Sequence, residues 1–430
     1  MEPTDAIKAR LPIEELVASY TQLKRKGRNF VGLCPFHSDK NPSLLVSPDK
    51  GIAYCFPCQK GGDIFSFTMA AENVDFKEAL KLLAERTGVA LPERSAPSHT
   101  ADERERVRQC LEAAAKIFRK QLQSNAEAQA YLRSRGVDAA EEEREGLGLA
   151  VAEWSGLYEQ LLKAGFSRTE ILGAGLAIQK DLGSQRVYDR FRNRLMFPIH
   201  DVQGRLVGLS GRALGDDDAK YMNSPDGPLF HKAQLLYGFH RAKDAMRQRK
   251  SVILVEGYFD VLACKRSGTA NVVATCGTAL TEEHVKILRR SVDRVVLCLD
   301  RDEAGRQAAE RAFSLLCATG LEVYGMELPE KDAADLQCSQ PELLSQILTD
   351  GGVPYLDLVI EELRAGDLSA VSQKRKALQR LLPLLQVLPT SVERSYFLPK
   401  VAALLKTTET ELTADMQRFR VTPPPPPPAA

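Results

Sequence analysis

No stretch of this 430-residue chain approaches the run of about 18 uncharged apolar residues that would span a membrane. The opening residues MEPTDAIKAR lack the apolar core of a signal peptide, so a cytoplasmic location with no membrane partner is expected. Neither sign of charge is in excess, because 58 Lys and Arg face 57 Asp and Glu for a net charge of +1. Whole-chain electrostatics therefore predict no polyanion partner, and any nucleic-acid surface must come from local clusters. No Gly-Lys pair occurs, which excludes a G-x-x-x-x-G-K-[ST] phosphate loop and an ATPase module built on it. The nine cysteines are an odd number, and Cys264, Cys276, Cys298 and Cys317 sit singly in apolar runs, as buried thiols do in a reducing compartment. The single Trp154 is expected to pack, and Cys110 and Cys338 have no neighbouring ligand-type residue.

What remains is the composition of a globular protein, 44% hydrophobic and 27% charged. The length is too great for one ordinary core and predicts two to four domains. Two β-branched runs stand out, Val252-Ile253-Leu254-Val255 and Val295-Val296-Leu297-Cys298-Leu299. Short apolar runs alternating with helical patterns read as buried parallel strands. Each run ends abruptly in acid, the first at Glu256-Gly257 and the second at Asp300-Arg301-Asp302. In such sheets the site lies off the carboxyl ends of the strands. Three carboxylates should therefore converge on one rim, where hard oxygen ligands suit Mg²⁺ or Mn²⁺. Helix N-capping is the competing reading for any one of these acids.

A second constellation lies near the start. Cys34-Pro-Phe-His37 is followed after 17 residues by Cys55-Phe-Pro-Cys58, and the flanks LLVS and IAYCF alternate like hairpin strands. Two x₂ pairs brought together by a hairpin form a closed Cys₃His site for one zinc ion, structural because no position is left for water. Lys24, Arg25, Lys26 and Arg28 lie just upstream, and Tyr54 and Phe56 read as exposed. Cations beside aromatic rings suit single-stranded DNA through phosphate contacts and base stacking. Between positions 186 and 238, Leu195 to Ile199 and Leu206 to Leu209 read as a hairpin around an Asp201-Val-Gln-Gly204 turn. Arg190, Arg192, Arg194, Arg212, Lys220 and Lys232 are set among Gly and Asn there, which suits a gripped triphosphate or template backbone, with ordinary surface pairing as the alternative.

These motifs carry family resemblances. The pair E-G and D-x-D-x-x-G resembles the Toprim domain of bacterial primases, topoisomerases and some nucleases, over about 85 residues. That resemblance implies Glu256 as the catalytic or metal-positioning carboxylate, with Asp300 and Asp302 as metal ligands. Asp260, one turn after Glu256, joins them as a further catalytic acid. After the next strand the family shows D-P-D, whereas this chain has Asp332, no Pro, and Ala334 where the second acid belongs. Asp332 is therefore carried over as a ligand, and Asp335, displaced by one residue, ranks below it. LKRKGRNFVGLCPFHSDKNPSLLVSP and CFPCQKGGDIFSF resemble the zinc-binding domain of bacterial replicative primases, although Pro57 stands where the family usually has Gly. RVYDRFRNRLMFPIHDVQGRLVGLSGRAL and AKYMNSPDGPLFHKAQLLYG resemble the amino-terminal half of the primase RNA polymerase domain. This last resemblance implies nucleotide and template contacts by Arg190, Arg192, Arg212, Lys220, Asn223 and Lys232.

The expected architecture is an α/β multidomain chain. It has an N-terminal zinc ribbon, an α+β polymerase subdomain with a Toprim α/β core, and a C-terminal helical subdomain. The expected boundaries are 1–92 for the zinc-binding domain, 93–105 for a linker and 106–250 for the first part of the polymerase domain. They continue with 251–340 for Toprim, 341–420 for amphipathic helices and 421–430 for a proline-rich spacer. The resemblance implies a primase that makes RNA primers from ribonucleoside triphosphates on a single-stranded DNA template, with a replicative helicase as partner. The family's usual C-terminal helicase-binding domain is expected to be absent, and the protein is expected to be a monomer. A topoisomerase would need a tyrosine nucleophile in a further large domain, for which this chain lacks room.

Overall fold

The computed structural model describes residues 3–36, 42–58, 60–72, 76–89, 100–179, 186–215 and 219–418. His37, most of the expected linker and the proline-rich stretch lie outside the described residues. The chain divides into two compact units, one within Met1–Ser98 and one within His99–Thr422.

In the first unit, the helical stripe of Ile7, Leu11, Ile13, Leu16 and Val17 is buried by α1 (Pro3–Arg10), α2 (Ile13–Ala18) and the turn between them. An antiparallel meander follows, β1 (Leu23–Lys26), β2 (Asn29–Gly32), β3 (Leu44–Ser47), β4 (Ile52–Cys55) and β5 (Gly61–Gly62), paired in that order. β3 and β4 form the expected hairpin, with Leu44, Val46, Ala53 and Cys55 buried at alternate positions. The cations Lys24, Arg25 and Lys26 are exposed on the edge strand β1, where charge also discourages pairing with a further strand. Helices α3 (Ile64–Glu72) and α4 (Phe76–Thr87) close the unit, and Phe67 of α3 meets the rings of Tyr20 and Phe36 at 5.5 and 5.1 Å.

The second unit begins with α5 (Ala101–Gln123), started by a Thr100–Glu103 capping box. Then come α6 (Ala126–Ser134), α7 (Ala139–Glu145), β6 (Gly148–Ala150), α8 (Gly156–Lys163), α9 (Arg168–Gly173) and a small hairpin of β7 (Ala177–Gln179) and β8 (Val187–Asp189). β9 (Arg194–His200) and β10 (Leu206–Ala213) form the predicted hairpin, and β11 (Tyr221–Asn223) completes an antiparallel sheet of order β11-β10-β9-β6. The chain passes through β12 (Leu236–Tyr237) and α10 (Phe239–Arg249) into its largest sheet.

That sheet has the order β12-β14-β13-β15-β16-β17, with β13 (Ser251–Val255), β14 (Val272–Thr275), β15 (Arg294–Leu297), β16 (Glu322–Gly325) and β17 (Val353–Pro354). The four central strands are parallel and the two edges antiparallel. The crossovers are α11 (Tyr258–Arg266), α12 (Glu282–Arg289) and α13 (Glu303–Cys317); α14 (Ala333–Ser339) and α15 (Pro341–Asp350) precede β17. Successive residues of β13 enter different cores. Ile253 and Val255 pack with α11, α14, α15 and the β9–β10 hairpin. Val252 and Leu254 pack with α10, α12, α13 and four C-terminal helices, α16 (Tyr355–Ala365), α17 (Val371–Gln386), α18 (Ser391–Leu405) and α19 (Glu409–Arg418). Burial on both faces is why these strands read as unbroken apolar runs. The expected α/β core and helical end are both present.

Phe197 of β9 ties the smaller sheet to the larger one. It is fully buried, stacks on Tyr258 at 5.2 Å and meets Phe259 edge-on at 5.2 Å. Phe197→Ala should destabilise the second unit by about 3–5 kcal/mol, read as a lower urea midpoint with an unchanged slope.

Candidate metal centres and nucleotide-binding face

Cys34 follows β2, Cys55 ends β4 and Cys58 lies in the turn after it, so the meander brings the three sulfurs together. All lie within 4.8 Å of one another, and Cys34 Sγ stands 3.7 Å from Cys58 Sγ. Tetrahedral zinc with bonds of about 2.3 Å requires sulfurs about 3.8 Å apart, so these residues fit the ion. The Phe36 backbone N–H donates to Cys34 Sγ at 3.4 Å, and Ser43 Oγ lies 3.3 Å from Cys55 Sγ, outer contacts that orient ligands. Burial pushes the Cys34 thiol up to about 12. At Cys55 the same burial is outweighed by the Cys58 backbone N–H and the Ser43 hydroxyl, which bring its thiol below the usual value. His37, the expected fourth ligand, lies outside the described residues.

The acids meet at the carboxyl ends of the parallel strands. Glu256 leaves β13 and its Oε1 accepts the backbone N–H of Asp300, just past β15, at 3.1 Å. The loops after β15 and β16 touch through the Arg301 N–H and the Lys331 carbonyl at 3.3 Å, which brings Asp332 alongside. Asp302 caps α13 by accepting the Gly305 N–H at 2.9 Å, and Asp332 caps α14 by accepting the Asp335 N–H at 2.7 Å. The capping reading is thus correct for both, and both caps face the same rim. Gly305 has no room for a side chain, since a Cβ would lie 2.3 Å from the Asp300 carbonyl and 2.8 Å from Glu256 Oε1. At Gly257 the reason is also space, because φ is −118° and a Cβ would lie 2.7 Å from Asp260 Oδ2.

Crowding of like charge is visible in the titration of the group. Burial, then the neighbouring Glu256, Asp332 and Asp302, raises Asp300 to about 7, with Lys331 opposing. Burial, together with Asp302 and Asp332, also raises Glu256. Asp260 is raised to about 7 by burial and by Asp332 and Asp300. Both Asp260 oxygens are engaged, Oδ2 with the Gly257 N–H and Oδ1 with the Ala334 N–H, each at 3.0 Å. Asp335 turns elsewhere and pairs with Arg135 at 3.0 Å. The donor set around Glu256, Asp300, Asp302 and Asp332 is hard oxygen with one opposing ammonium, a chemistry that fits a divalent cation. Among the described residues only the cysteines bring three ligand atoms within 4.8 Å, so the carboxylates stand further apart than the thiols do.

A cationic face adjoins this rim. Arg212 Nη1 donates to the Tyr221 hydroxyl at 3.3 Å, and its guanidinium lies over Phe259 at 4.9 Å and Tyr131 at 5.4 Å. Arg135 lies over the same Phe259 at 5.4 Å. Arg190 is half-buried, donating to the Asn223 carbonyl at 3.1 Å, and Lys220 is exposed. Asn223 donates to the Cys276 carbonyl at 2.8 Å and accepts from the Tyr258 hydroxyl at 2.9 Å, two residues beyond Glu256. Arg194, grouped with these cations in the sequence, is instead fully buried and donates to the Gly211 and Ala219 carbonyls, which makes it structural. Trp154 does not pack inside as expected; it is 67% exposed, with its indole 4.6 Å from the Arg192 guanidinium. The guanidinium lies over the indole ring and Tyr188 meets it at 5.8 Å, so cation–π and ring contacts at the surface, rather than core packing, hold this side chain. Sequence reasoning missed Arg135 and Lys331, for which isolated basic residues after a helix or strand give no distinctive spacing.

A cavity of about 310 Å³ opens beside the acids, lined by Asp300, Asp302, Gly305 and Arg306. A larger one of about 890 Å³ lies by the β9–β10 turn; Glu256, Asp300, Asp302 and Asp332 do not line it, and its Arg108 and Arg205 pair with Glu105 and Asp201.

A zinc ribbon, a parallel sheet rimmed by acids and a cationic strand face define a class, the zinc-ribbon proteins with a Toprim catalytic sheet. Residues 1–99 match the CHC2 zinc finger family, 117–243 the DNA primase catalytic core N-terminal domain, and 253–337 the Toprim-like family. A DNA primase of Halalkalibacterium halodurans is 36% identical over 93% of this chain and 68% of its own length. The Aquifex aeolicus primase structure, with its zinc-binding and RNA polymerase domains, aligns over 96% of this chain and 99% of its own at a TM-score of 0.61 and 29% identity. The RNA polymerase domain of Mycobacterium tuberculosis primase, solved with a double-stranded DNA oligomer bearing a 6-nucleotide overhang, is 32% identical, covers 70% of this chain and 97% of its own, and has a TM-score of 0.61. The chain belongs to the bacterial DNA primase family. It spans about 60 to 68% of the length of the curated relatives it matches first.

One expectation is overturned. Residues 359–410 match the DnaB-helicase binding domain of primase, so the helicase-binding domain is not absent. Those residues run from within α16 through α17 and α18 to the first residues of α19, read from sequence only as helices closing the polymerase domain. Their apolar spacing records burial against the large sheet, which any packed helix would show, and carries no mark of a partner.

Two outcomes test the site. Cys55→Ala should lose the bound zinc, about one equivalent per chain by metal analysis, and make the first unit sensitive to protease. In chelator-treated protein, Asp300 keeps its proton up to about pH 7 when folded, whereas an unfolded aspartate releases it near pH 4. The folded state binds more protons across that window, so stability should fall as pH rises from about 4 to 7. Asp300→Asn should flatten this slope in thermal scans at stepped pH.

Proposed function

We propose that this chain synthesises short RNA primers on single-stranded DNA by divalent-metal-dependent nucleotidyl transfer. The reading is carried by the contact of Glu256 with Asp300 at adjoining strand tips, beside the cationic face of Arg212. Glu256, Asp300, Asp302 and Asp332 hold Mg²⁺ or Mn²⁺ at the rim. Such an ion supplies activation of the primer 3′-hydroxyl and neutralises charge on the departing pyrophosphate. Asp260 is the positioning acid: it joins the turn carrying Glu256 to the start of the helix capped by Asp332. Arg190, Arg192, Lys220, Asn223 and Lys232 hold triphosphate and template with charge-assisted hydrogen bonds, and Arg212 stacks beside them.

The zinc unit contacts template and aids start-site choice. Support comes from the exposed cations on β1 and from Phe56, 66% exposed with Tyr54 at 5.4 Å. The DNA-bound mycobacterial relative supports DNA as the ligand of the polymerase unit. The match of residues 359–410 supports a replicative helicase as partner.

The test is ribonucleotide incorporation on single-stranded DNA. Glu256→Gln should fall to background while template affinity stays within about twofold, since the lost carboxylate acts on the reaction rather than on binding. Primer synthesis retained by that variant, or plasmid nicking without incorporation by the wild type, would refute the reading.

A further inference from the structure

Lys232 opens the short 3₁₀ turn Lys232–Gln234, whose backbone is held from several sides. Its N–H donates to Asp226 Oδ1 at 3.0 Å, and the next carbonyl, of Ala233, accepts the Thr281 hydroxyl at 2.7 Å. The Lys232 carbonyl lies 3.1 Å from Nε2 of His284, a side chain with no exposed surface. The other ring nitrogen, Nδ1, accepts the Thr281 N–H at 3.2 Å. An Nδ1 that accepts must be unprotonated, so the proton sits on Nε2 and is donated to the Lys232 carbonyl. Burial keeps this imidazole neutral, with its pKa lowered to about 4. A buried polar ring in a helix cap, with both nitrogens used, fixes the lysine turn to the start of α12.

The same segment reaches the acid rim. α12 follows β14, the strand beside β13, and the Cys276 carbonyl at the end of β14 holds Asn223 at 2.8 Å. Asn223 in turn accepts from Tyr258, next to the Glu256 turn. One stretch, Cys276 to His284, therefore anchors both Asn223 and Lys232 on the side of the rim across from Asp300.

We propose that His284 is a positioning residue for nucleotide binding: its Nε2–H holds the Lys232 carbonyl so that the lysine ammonium meets the incoming triphosphate. The proposal rests on the reading of Lys232 given above. His284 touches no substrate; it acts through the turn it fixes.

The test uses the full chain and the KM and kcat for ribonucleoside triphosphate in primer synthesis. His284→Leu removes both hydrogen bonds and should raise KM about tenfold with kcat within about twofold. His284→Gln supplies an acceptor and a donor in the geometry of a Thr-x-x-Gln capping box and should stay near the wild-type KM. In a Lys232→Ala background, His284→Leu should add nothing to KM, because the group it positions is gone. Thr281→Val, which removes the hydroxyl bond to Ala233 and the cap that accepts the His284 N–H at 3.1 Å, should also raise KM and serves if His284→Leu fails to fold. An unchanged KM in His284→Leu, or an undiminished effect in the Lys232→Ala background, overturns the proposal while Lys232 keeps its role. A Lys232→Ala variant with wild-type KM instead removes the reading of Lys232, and this inference with it.

Discussion

The second unit is organised around carboxylates gathered where they repel one another. A parallel sheet buried on both faces confines charge to the ends of its strands, Arg294 and Glu322 at the start of two of them and the acids past the carboxyl tips, where they crowd. Glu256 and Asp300 are both raised from their ordinary values, first by burial and then by neighbouring acids. What holds the group in place is backbone. The N–H groups of Asp300, Gly257, Ala334, Gly305 and Asp335 each point at a carboxylate oxygen. Most open a helix, so the helix dipole adds its favourable end to the hydrogen bond. Peptide dipoles thus offset part of the repulsion, and at Asp302 and Asp332 the backbone bond goes to one oxygen only.

Capping and metal binding therefore do not compete. Asp302 and Asp332 cap helices, which fixes their side chains near the rim without spending both oxygens. Asp260 differs because both of its oxygens are spent on backbone. That distinction depends on hydrogen bonds the sequence does not display.

Much of this was readable beforehand, and the reasons are local. The apolar runs ending in Glu256 and Asp300 announced parallel strands because burial on both faces leaves no room for alternation. The two C-x₂ pairs announced a shared site because the strands between them alternate with period two. Gly305 is the glycine of the D-x-D-x-x-G motif, and the clearance of its missing Cβ shows why no other residue fits there. Arg194, Trp154 and Arg135 were not legible. Whether an arginine is buried among carbonyls, as Arg194 is, or lies over an aromatic ring, as Arg135 is, depends on pairings distant in sequence. The helicase-binding match was hidden for a related reason: α16 to α18 bury their apolar faces in the core shared with the large sheet, and a stripe that records packing is silent about what the other face meets.

The central claim is that the strand-tip acids share a divalent ion. The most direct measurement is Mn²⁺ binding by electron paramagnetic resonance, on wild type and on Glu256→Gln and Asp300→Asn, with zinc content checked in each. The account predicts that tight Mn²⁺ binding is lost in both variants while zinc is retained. Undiminished Mn²⁺ affinity in both would contradict it.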